Sequence, residues 1–129
     1  LGLDVEDLAH VTLRFRSGAL ASVTLDYVQR PRTHGLEIVG TRGRACWSDE
    51  DGSAYLYDAG RGRATPFRPA PGFSRNDVFL EEMRHFLACL DGREEPACTI
   101  EDGRAAVEIA DAALRSAGEG RHVAVGEGS

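Results

Sequence analysis

The segment Asn76 to Gly92, NDVFLEEMRHFLACLDG, constrains the fold more than any other stretch of the chain. Its large apolar residues recur at the spacing that places them on one face of a helix. Ser74 or Asn76 can cap the start of this helix with a side-chain oxygen, and Gly92 can take the left-handed conformation that ends it. So wide an apolar face needs a wide apolar partner, and the strand-rich first half of the chain is the only large candidate. The residues of this face are Phe79, Met83, Phe86, Leu87 and Leu90.

A hairpin of two strands is predicted over Asp7 to Tyr27, where apolar and polar residues alternate on both sides of a central turn. Strict alternation is typical of strands with one buried face. A two-residue turn would mix the two faces, whereas a three-residue turn over Arg16–Gly18 pairs Phe15 with Ala19 and keeps them separate. That register also gives Gly18 the left-handed position of a bulged turn, where glycine is favoured.

The rest of the chain predicts four shorter strands and a second helix. Close turns between short strands indicate an antiparallel meander, and a capping-box pattern over Thr99–Asp102 opens the second helix. We therefore predict an α+β fold, with residues 1–129 forming one domain: a mostly antiparallel open sheet of about six strands with two helices packed on one face. Residues 122–125 can add a short edge strand. The four strands are expected at about His34–Gly40, Arg44–Ser48, Ser53–Asp58 and Ala64–Arg68.

Composition excludes several classes of function. A net charge of −6 argues against an extended nucleic-acid surface, which would need a basic face. No apolar run approaches the length of a membrane span, and no signal peptide is visible. Three cysteines without close pairs do not suggest a disulfide framework, so a cytoplasmic location is expected. The chain does not begin with methionine, and we expect it to be a piece of a larger protein.

Motifs for cofactor, metal or nucleophile chemistry are weak. The close glycine pairs at residues 60–62 and 118–120 do not lie between a strand and a helix start, as dinucleotide binding requires. His85, Cys89 and Cys98 could in principle ligate zinc, but a fourth ligand is not indicated and the spacing matches no zinc pattern. No serine or cysteine has the partners of a catalytic nucleophile. We predict no catalytic, cofactor-binding or metal-binding residue in this chain.

The most polar connection is YVQRPRTHG, Tyr27 to Gly35, and its residues up to His34 are the candidate ligand-binding segment. It leaves the end of a strand pair, so its side chains can converge beyond the sheet. Two arginines and a histidine can bind an anionic or polyhydroxyl ligand; the alternative is a solvated loop. Arg75 and Asn76, before the first helix, are weaker candidates for the same role. The candidate substrate-binding residues are Gln29, Arg30, Arg32, His34, Arg75 and Asn76.

Four ordered segments resemble the C-terminal domain of the glucose-fructose oxidoreductase and inositol dehydrogenase family, called Gfo/Idh/MocA. The first segment has a strand, a glycine turn and a strand, and the second has another strand pair. The third has a helix that ends in an acidic-Gly-Pro loop, and the fourth has a closing helix. Together they cover nearly the whole chain. The segments are VEDLAHVTLRFRSGALASVTLDY, LEIVGTRGRACW, NDVFLEEMRHFLACLDGREEP and TIEDGRAAVEIADAALRSAGEGRHVAV.

The resemblance implies a two-domain NAD- or NADP-dependent oxidoreductase acting on a sugar, polyol or related hydroxyl compound. A Rossmann domain, absent from this chain, would carry the dinucleotide, while this domain would close the substrate pocket. The family's glycine-rich loop, its Glu-Lys-Pro motif and its Asp-x-x-x-His pair are missing here, so the isolated domain is expected to be inactive. The open sheet face would form the interface of a homo-oligomer, such as a dimer. The interface candidates are His10, Thr12, Arg14, Ser22 and Thr24.

One alternative remains open from the residues alone. The chain could be a stand-alone, non-catalytic ligand-binding or assembly module that never had a catalytic partner. A glycine-rich βαβ unit encoded upstream would favour the oxidoreductase, whereas a start codon immediately before Leu1 would favour the module.

Overall fold

The computed structural model describes residues 6–126. The chain divides into two compact units, Leu1–Phe73 and Ser74–Ser129. In the described residues the first unit holds six strands, all paired antiparallel, and the second holds two helices. The predicted α+β class is therefore confirmed, while the prediction that residues 1–129 form one domain stays a prediction.

The hairpin has the register that its alternation predicts. Strand β1 is Leu8–Arg14 and strand β2 is Leu20–Asp26. In the turn between them, the Phe15 N–H donates to the Ala19 carbonyl at 2.9 Å. Gly18 has a φ of 88°, which lies in the left-handed region where glycine meets no steric penalty. The three-residue turn thus fixes which side chains share each face.

The remaining strands form a separate sheet in the order β3-β4-β5-β6. The prediction of one six-stranded sheet is wrong in this respect: among the described residues, β1 pairs with β2 alone. Residues 27–34 lie between the two sheets, and Pro31 within them has no N–H to donate to a ladder. The strands are β3 Gly35–Gly40, β4 Gly43–Ser48, β5 Ala54–Asp58 and β6 Arg63–Phe67.

The four-stranded sheet has one apolar and one mixed face, because its register aligns residues of like character across the strands. Leu36, Trp47, Ala54 and Phe67 form one apolar row across all four strands. Leu36 is 58% exposed and Phe67 is 54% exposed. The apolar face of this sheet is therefore open to a partner.

Helix α1, Arg75–Leu90, begins after Ser74 and ends close to where its pattern predicts. The Asp77 carboxylate accepts a hydrogen bond from the Ser74 N–H at 2.6 Å, and Gly92 has a left-handed φ of 68°. Phe79, Phe86 and Leu90 are 53%, 55% and 68% exposed, so the apolar face of α1 is available to a partner surface. The packing of the helices on one face of a sheet stays a prediction.

Helix α2, Ile100–Glu119, begins with the predicted capping box. The Asp102 carboxylate accepts hydrogen bonds from both the N–H and the hydroxyl of Thr99, each at 2.8 Å. These bonds lower the pKa of Asp102 below its ordinary value, because they stabilise the charged form. Gly120, with a φ of 63°, ends the helix. The predicted edge strand over residues 122–125 is wrong, since this segment joins no ladder in the described chain.

The buried residues of the two helices are small. Ala88 on α1 is 3% exposed and Ala112 on α2 is 4% exposed, and no other residue in the range 6–126 is classed as buried. The helices thus bury alanines and leave their large apolar residues uncovered. Within the same range, neither helix combines the length and apolarity needed to cross a membrane.

Gly43, at the turn between β3 and β4, should be essential for the second sheet. A Cβ at this position would lie 1.9 Å from the Tyr57 carbonyl oxygen, and the φ of 154° is one that other residues rarely adopt. We expect Gly43→Ala to lower the free energy of unfolding, measured by urea denaturation, by about 2 kcal/mol or more. Gly40→Ala is the matched control, because a Cβ there meets no atom within 4 Å. Equal effects of the two substitutions would contradict this account.

Candidate functional site

The polar connection over residues 27–34 starts from a turn that Asp26 holds at the end of β2. The Asp26 Oδ1 accepts hydrogen bonds from the backbone N–H groups of Val28, at 3.0 Å, and Gln29, at 2.6 Å. Aspartate commonly stabilises a turn in this way, by bonding to the backbone that follows it. The first part of the connection is therefore positioned by its own sequence.

The register of β3 and β4 positions the other end of the connection. Gly35 pairs with Ser48, and one residue further the Asp49 N–H donates to the His34 carbonyl oxygen at 2.8 Å. The strand pairing thus extends past the last ladder residues. It holds the end of the connection against the turn that follows β4.

Two side-chain pairs lie at this end of the sheet. The Arg32 guanidinium forms an ion pair with the Asp49 carboxylate. The imidazole of His34 meets the indole of Trp47 edge-on, with the ring centroids 5.0 Å apart and the planes at 88°. The backbone bond between Asp49 and His34 thus joins an ion pair and an aromatic pair, whose polar groups can hydrogen-bond to hydroxyl or carboxyl groups of a ligand.

The sequence predicted Arg32 and His34 as binding residues but missed Asp49 and Trp47. The signal was present in the predicted turn between β3 and β4, because an antiparallel register that starts there brings Asp49 opposite His34. The same register explains the position of Trp47, which lies in β4, two residues before Asp49.

Arg30 is held by backbone groups of its own connection. Its Nη1 donates to the carbonyl oxygens of Gln29, at 2.8 Å, and Tyr27, at 3.3 Å. Among residues 6–126 no carboxylate forms an ion pair with Arg30. Its guanidinium is therefore oriented but not neutralised.

The other predicted binding residues are placed differently. Gln29 is exposed and contributes its backbone N–H to the Asp26 turn. Arg75 and Asn76 belong to the second unit, where the Arg75 guanidinium carbon lies 5.9 Å from the centre of the Phe79 ring. A common site for these two residues and the connection stays a prediction.

The predicted interface residues share one face of the hairpin. His10 pairs with Thr24 and Thr12 pairs with Ser22 across the two strands. The His10 Nδ1 is 2.9 Å from the Thr24 hydroxyl, and its Nε2 is 3.4 Å from the Ser22 hydroxyl. Arg14 continues the same face. These exposed side chains thus form an ordered polar surface, whose role as an interface stays a prediction.

Comparison with known proteins identifies the family. A family model described as "Oxidoreductase family, C-terminal alpha/beta domain" matches residues 2–125, nearly the whole chain. The chain belongs to the Gfo/Idh/MocA oxidoreductase family. The family that the sequence segments resemble is thereby confirmed.

A characterised relative of this Gfo/Idh/MocA domain is the myo-inositol 2-dehydrogenase of Thermotoga maritima. It is 30% identical over 128 residues, which cover 94% of this chain and 37% of the relative. The chain therefore spans little more than a third of the length of that relative. No solved structure matches the chain.

A second polar cluster of this domain lies on the mixed face of the four-stranded sheet. The Arg44 Nε is 2.8 Å from a carboxylate oxygen of Glu37, and its guanidinium carbon is 5.8 Å from the centre of the Tyr55 ring. The hydrogen bond to Glu37 raises the pKa of Arg44. The neighbouring Cys46 side chain raises the pKa of the Tyr55 phenol. Because these groups neutralise and bond one another, they form a paired surface.

The opposite face of the same sheet carries a shallow apolar depression of about 300 Å³. It is almost entirely apolar and lies over the row that Trp47 joins. Because Trp47 also meets His34, the depression borders the polar connection. Its main lining residues are Leu36, Ile38, Trp47, Leu56 and Phe67.

His85 in α1 bonds the loop between the helices. Its Nδ1 lies 2.6 Å from the Glu94 carboxylate, and its Nε2 accepts a hydrogen bond from the Ala97 N–H at 3.0 Å. Cys89 lies 3.6 Å from the same Nε2. Within residues 6–126 no group of three potential ligands could hold a metal ion. In this arrangement His85 connects the helix to the loop, and Cys89 contacts His85 from within the same helix.

Proposed function

We propose that this chain is the substrate-side and oligomerisation domain of an NAD- or NADP-dependent oxidoreductase that acts on a sugar, a polyol or a related hydroxyl compound. The observation that carries the proposal is the polar connection over residues 27–34, fixed at both ends and bearing Arg30, Arg32 and His34. Membership of an oxidoreductase family supports the reaction class. The myo-inositol 2-dehydrogenase relative supports a polyhydroxyl substrate.

The chemistry of the connection fits a hydroxyl-rich ligand. Guanidinium and imidazole N–H groups donate hydrogen bonds to hydroxyl oxygens, and the Asp49 carboxylate accepts them from hydroxyl hydrogens. Because Arg32 and Asp49 already hold each other, they offer a donor and an acceptor with little further loss of side-chain freedom. Their proposed contribution is to orient the substrate, which is worth a large share of a barrier when the reacting atoms are aligned.

The proposed reaction needs a second domain. The substrate alcohol would lose a hydride to the nicotinamide and a proton to a base, giving a carbonyl compound and NAD(P)H. A dinucleotide-binding domain, proposed to lie N-terminal to this one in the full-length protein, would hold the cofactor and the base. This chain would close the pocket from the substrate side, and by itself it would catalyse no turnover.

Steady-state kinetics of the full-length protein test the proposal. We expect NAD(P)H to form when the protein receives NAD or NADP and a panel of sugars and polyols that includes myo-inositol. Arg32→Ala should raise the KM for the substrate about tenfold and lower kcat less, since the residue orients the ligand. Arg61→Ala is the matched control, because Arg61 is exposed in the turn between β5 and β6.

Two results would contradict this function. One is a full-length protein without turnover of any sugar or polyol and without affinity for a dinucleotide, which would favour the stand-alone module. The other is an Arg32→Ala protein whose kinetics match those of Arg61→Ala, which would remove the connection from the site.

We also propose that the polar face of the hairpin joins two copies of the full-length protein. His10 already bonds across the strands to Thr24 and Ser22, so the surface is ordered before association. We expect sedimentation equilibrium to give a dimer or larger oligomer, and Thr12→Glu to weaken it, because two copies of a symmetric interface would bring like charges together. A strict monomer at high protein concentration would exclude this interface.

A cytoplasmic location is proposed on the state of the cysteines. Cys46, Cys89 and Cys98 are all unbridged. Free thiols fit a reducing compartment. Fractionation of cells that express the full-length protein would place it, and recovery from a secreted fraction would contradict the proposal.

A further inference from the structure

The two arginines of the connection over residues 27–34 differ in their partners. The segment contains two arginines and no carboxylate. Asp49 neutralises Arg32, and the nearby Asp26 uses one carboxylate oxygen to hold the turn. Arg30 is left with no ion-pair partner among the residues that the structure describes. Arg30 is therefore the arginine of the connection without an ion pair, while Asp26 at the start of the connection keeps its negative charge.

The hydrogen bonds of Arg30 determine which edge of its guanidinium can reach a ligand. Nη1 donates two hydrogen bonds, to the carbonyl oxygens of Gln29 and Tyr27. The Nε–H and Nη2–H groups make no hydrogen bond to another group within residues 6–126. This pair of donors forms a planar fork that matches the two oxygens of a carboxylate or phosphate. The backbone thus orients Arg30 and leaves the anion-binding edge unused.

The net charge of the whole chain affects how an anionic ligand can be selected. A net charge of −6 opposes the approach of an anion over long distances. Long-range attraction by this chain therefore cannot select an anionic ligand, and selection has to come from direct contact. An oriented, unneutralised arginine supplies such a contact.

We propose that the substrate carries an anionic group, a carboxylate or a phosphate, in addition to its hydroxyl groups, and that Arg30 binds this group in bidentate fashion. The proposal rests on the proposed function, and it narrows the substrate from sugars and polyols in general to their acidic or phosphorylated derivatives. Arg32, Asp49 and His34 would contact the hydroxyl groups, while Arg30 would set the preference for charge.

Matched substrate pairs test this with the full-length protein. Each pair consists of a neutral sugar or polyol and the same skeleton bearing a carboxylate, or in a second series a phosphate. We expect kcat/KM to be about 10- to 100-fold higher for the charged member. Arg30→Gln should abolish this preference by raising the KM of the charged member only, and Arg30→Lys should restore part of it. The two series distinguish a carboxylate from a phosphate ligand.

Arg16→Gln is the control, because Arg16 lies in the β1–β2 turn at the end of the hairpin opposite to the connection. Equal kcat/KM values for both members of each pair, with turnover intact, would overturn the anionic substrate but leave the proposed function standing. Equal loss for both members in Arg30→Gln would overturn the role of Arg30. If the protein turns over none of these compounds, calorimetric titration with the same acids and phosphates decides: binding that Arg30→Gln removes supports the inference, and absence of binding overturns it.

Discussion

The pairing of β3 with β4 determines how the candidate site is built. The turn between them places Gly40 opposite Gly43, and Gly43 cannot be replaced by a larger residue without meeting the Tyr57 carbonyl. From this fixed point the register runs to the far end of the strands, where Asp49 bonds to His34. A slip of one residue would turn every side chain of β4 to the opposite face. The neighbourhood of Arg32, His34 and Trp47 would then be lost.

The connection between the sheets is held by hydrogen bonds at both ends and is polar in between. Asp26 fixes its start, and the strand register fixes its end. A segment so anchored presents its side chains in a restricted set of positions, which reduces the entropy that a ligand must overcome on binding. This restriction is what makes residues 27–34 the candidate binding segment.

Exposed apolar surface is the other prominent property of the chain. The apolar row of the four-stranded sheet and the apolar face of α1 carry side chains that are more than half exposed, among them Leu36, Phe79 and Phe86. Large contiguous apolar surfaces on a folded protein commonly mark contact sites for other protein surfaces. The chain matches 37% of the length of its myo-inositol 2-dehydrogenase relative.

The sequence predicted those features that follow from local patterns. Alternation and one glycine gave the hairpin register, and capping residues gave the helix starts at Ser74 and Thr99. It did not predict the split into two sheets, because a strand pattern shows which face is buried but not which strand lies alongside. It also missed Asp49, whose partner Arg32 is distant in sequence and near only through the pairing of β3 and β4. The predicted strand over residues 122–125 failed for the same reason, since strands depend on partners.

A crystal structure of the full-length protein with a dinucleotide and a bound substrate or product would test the central claim most directly. The account predicts that the ligand lies within hydrogen-bonding distance of at least one side chain of the connection, with Arg30 or Arg32 among them, and that Asp49 remains beside His34. A ligand seated in the active site without any contact to residues 27–34 would contradict it.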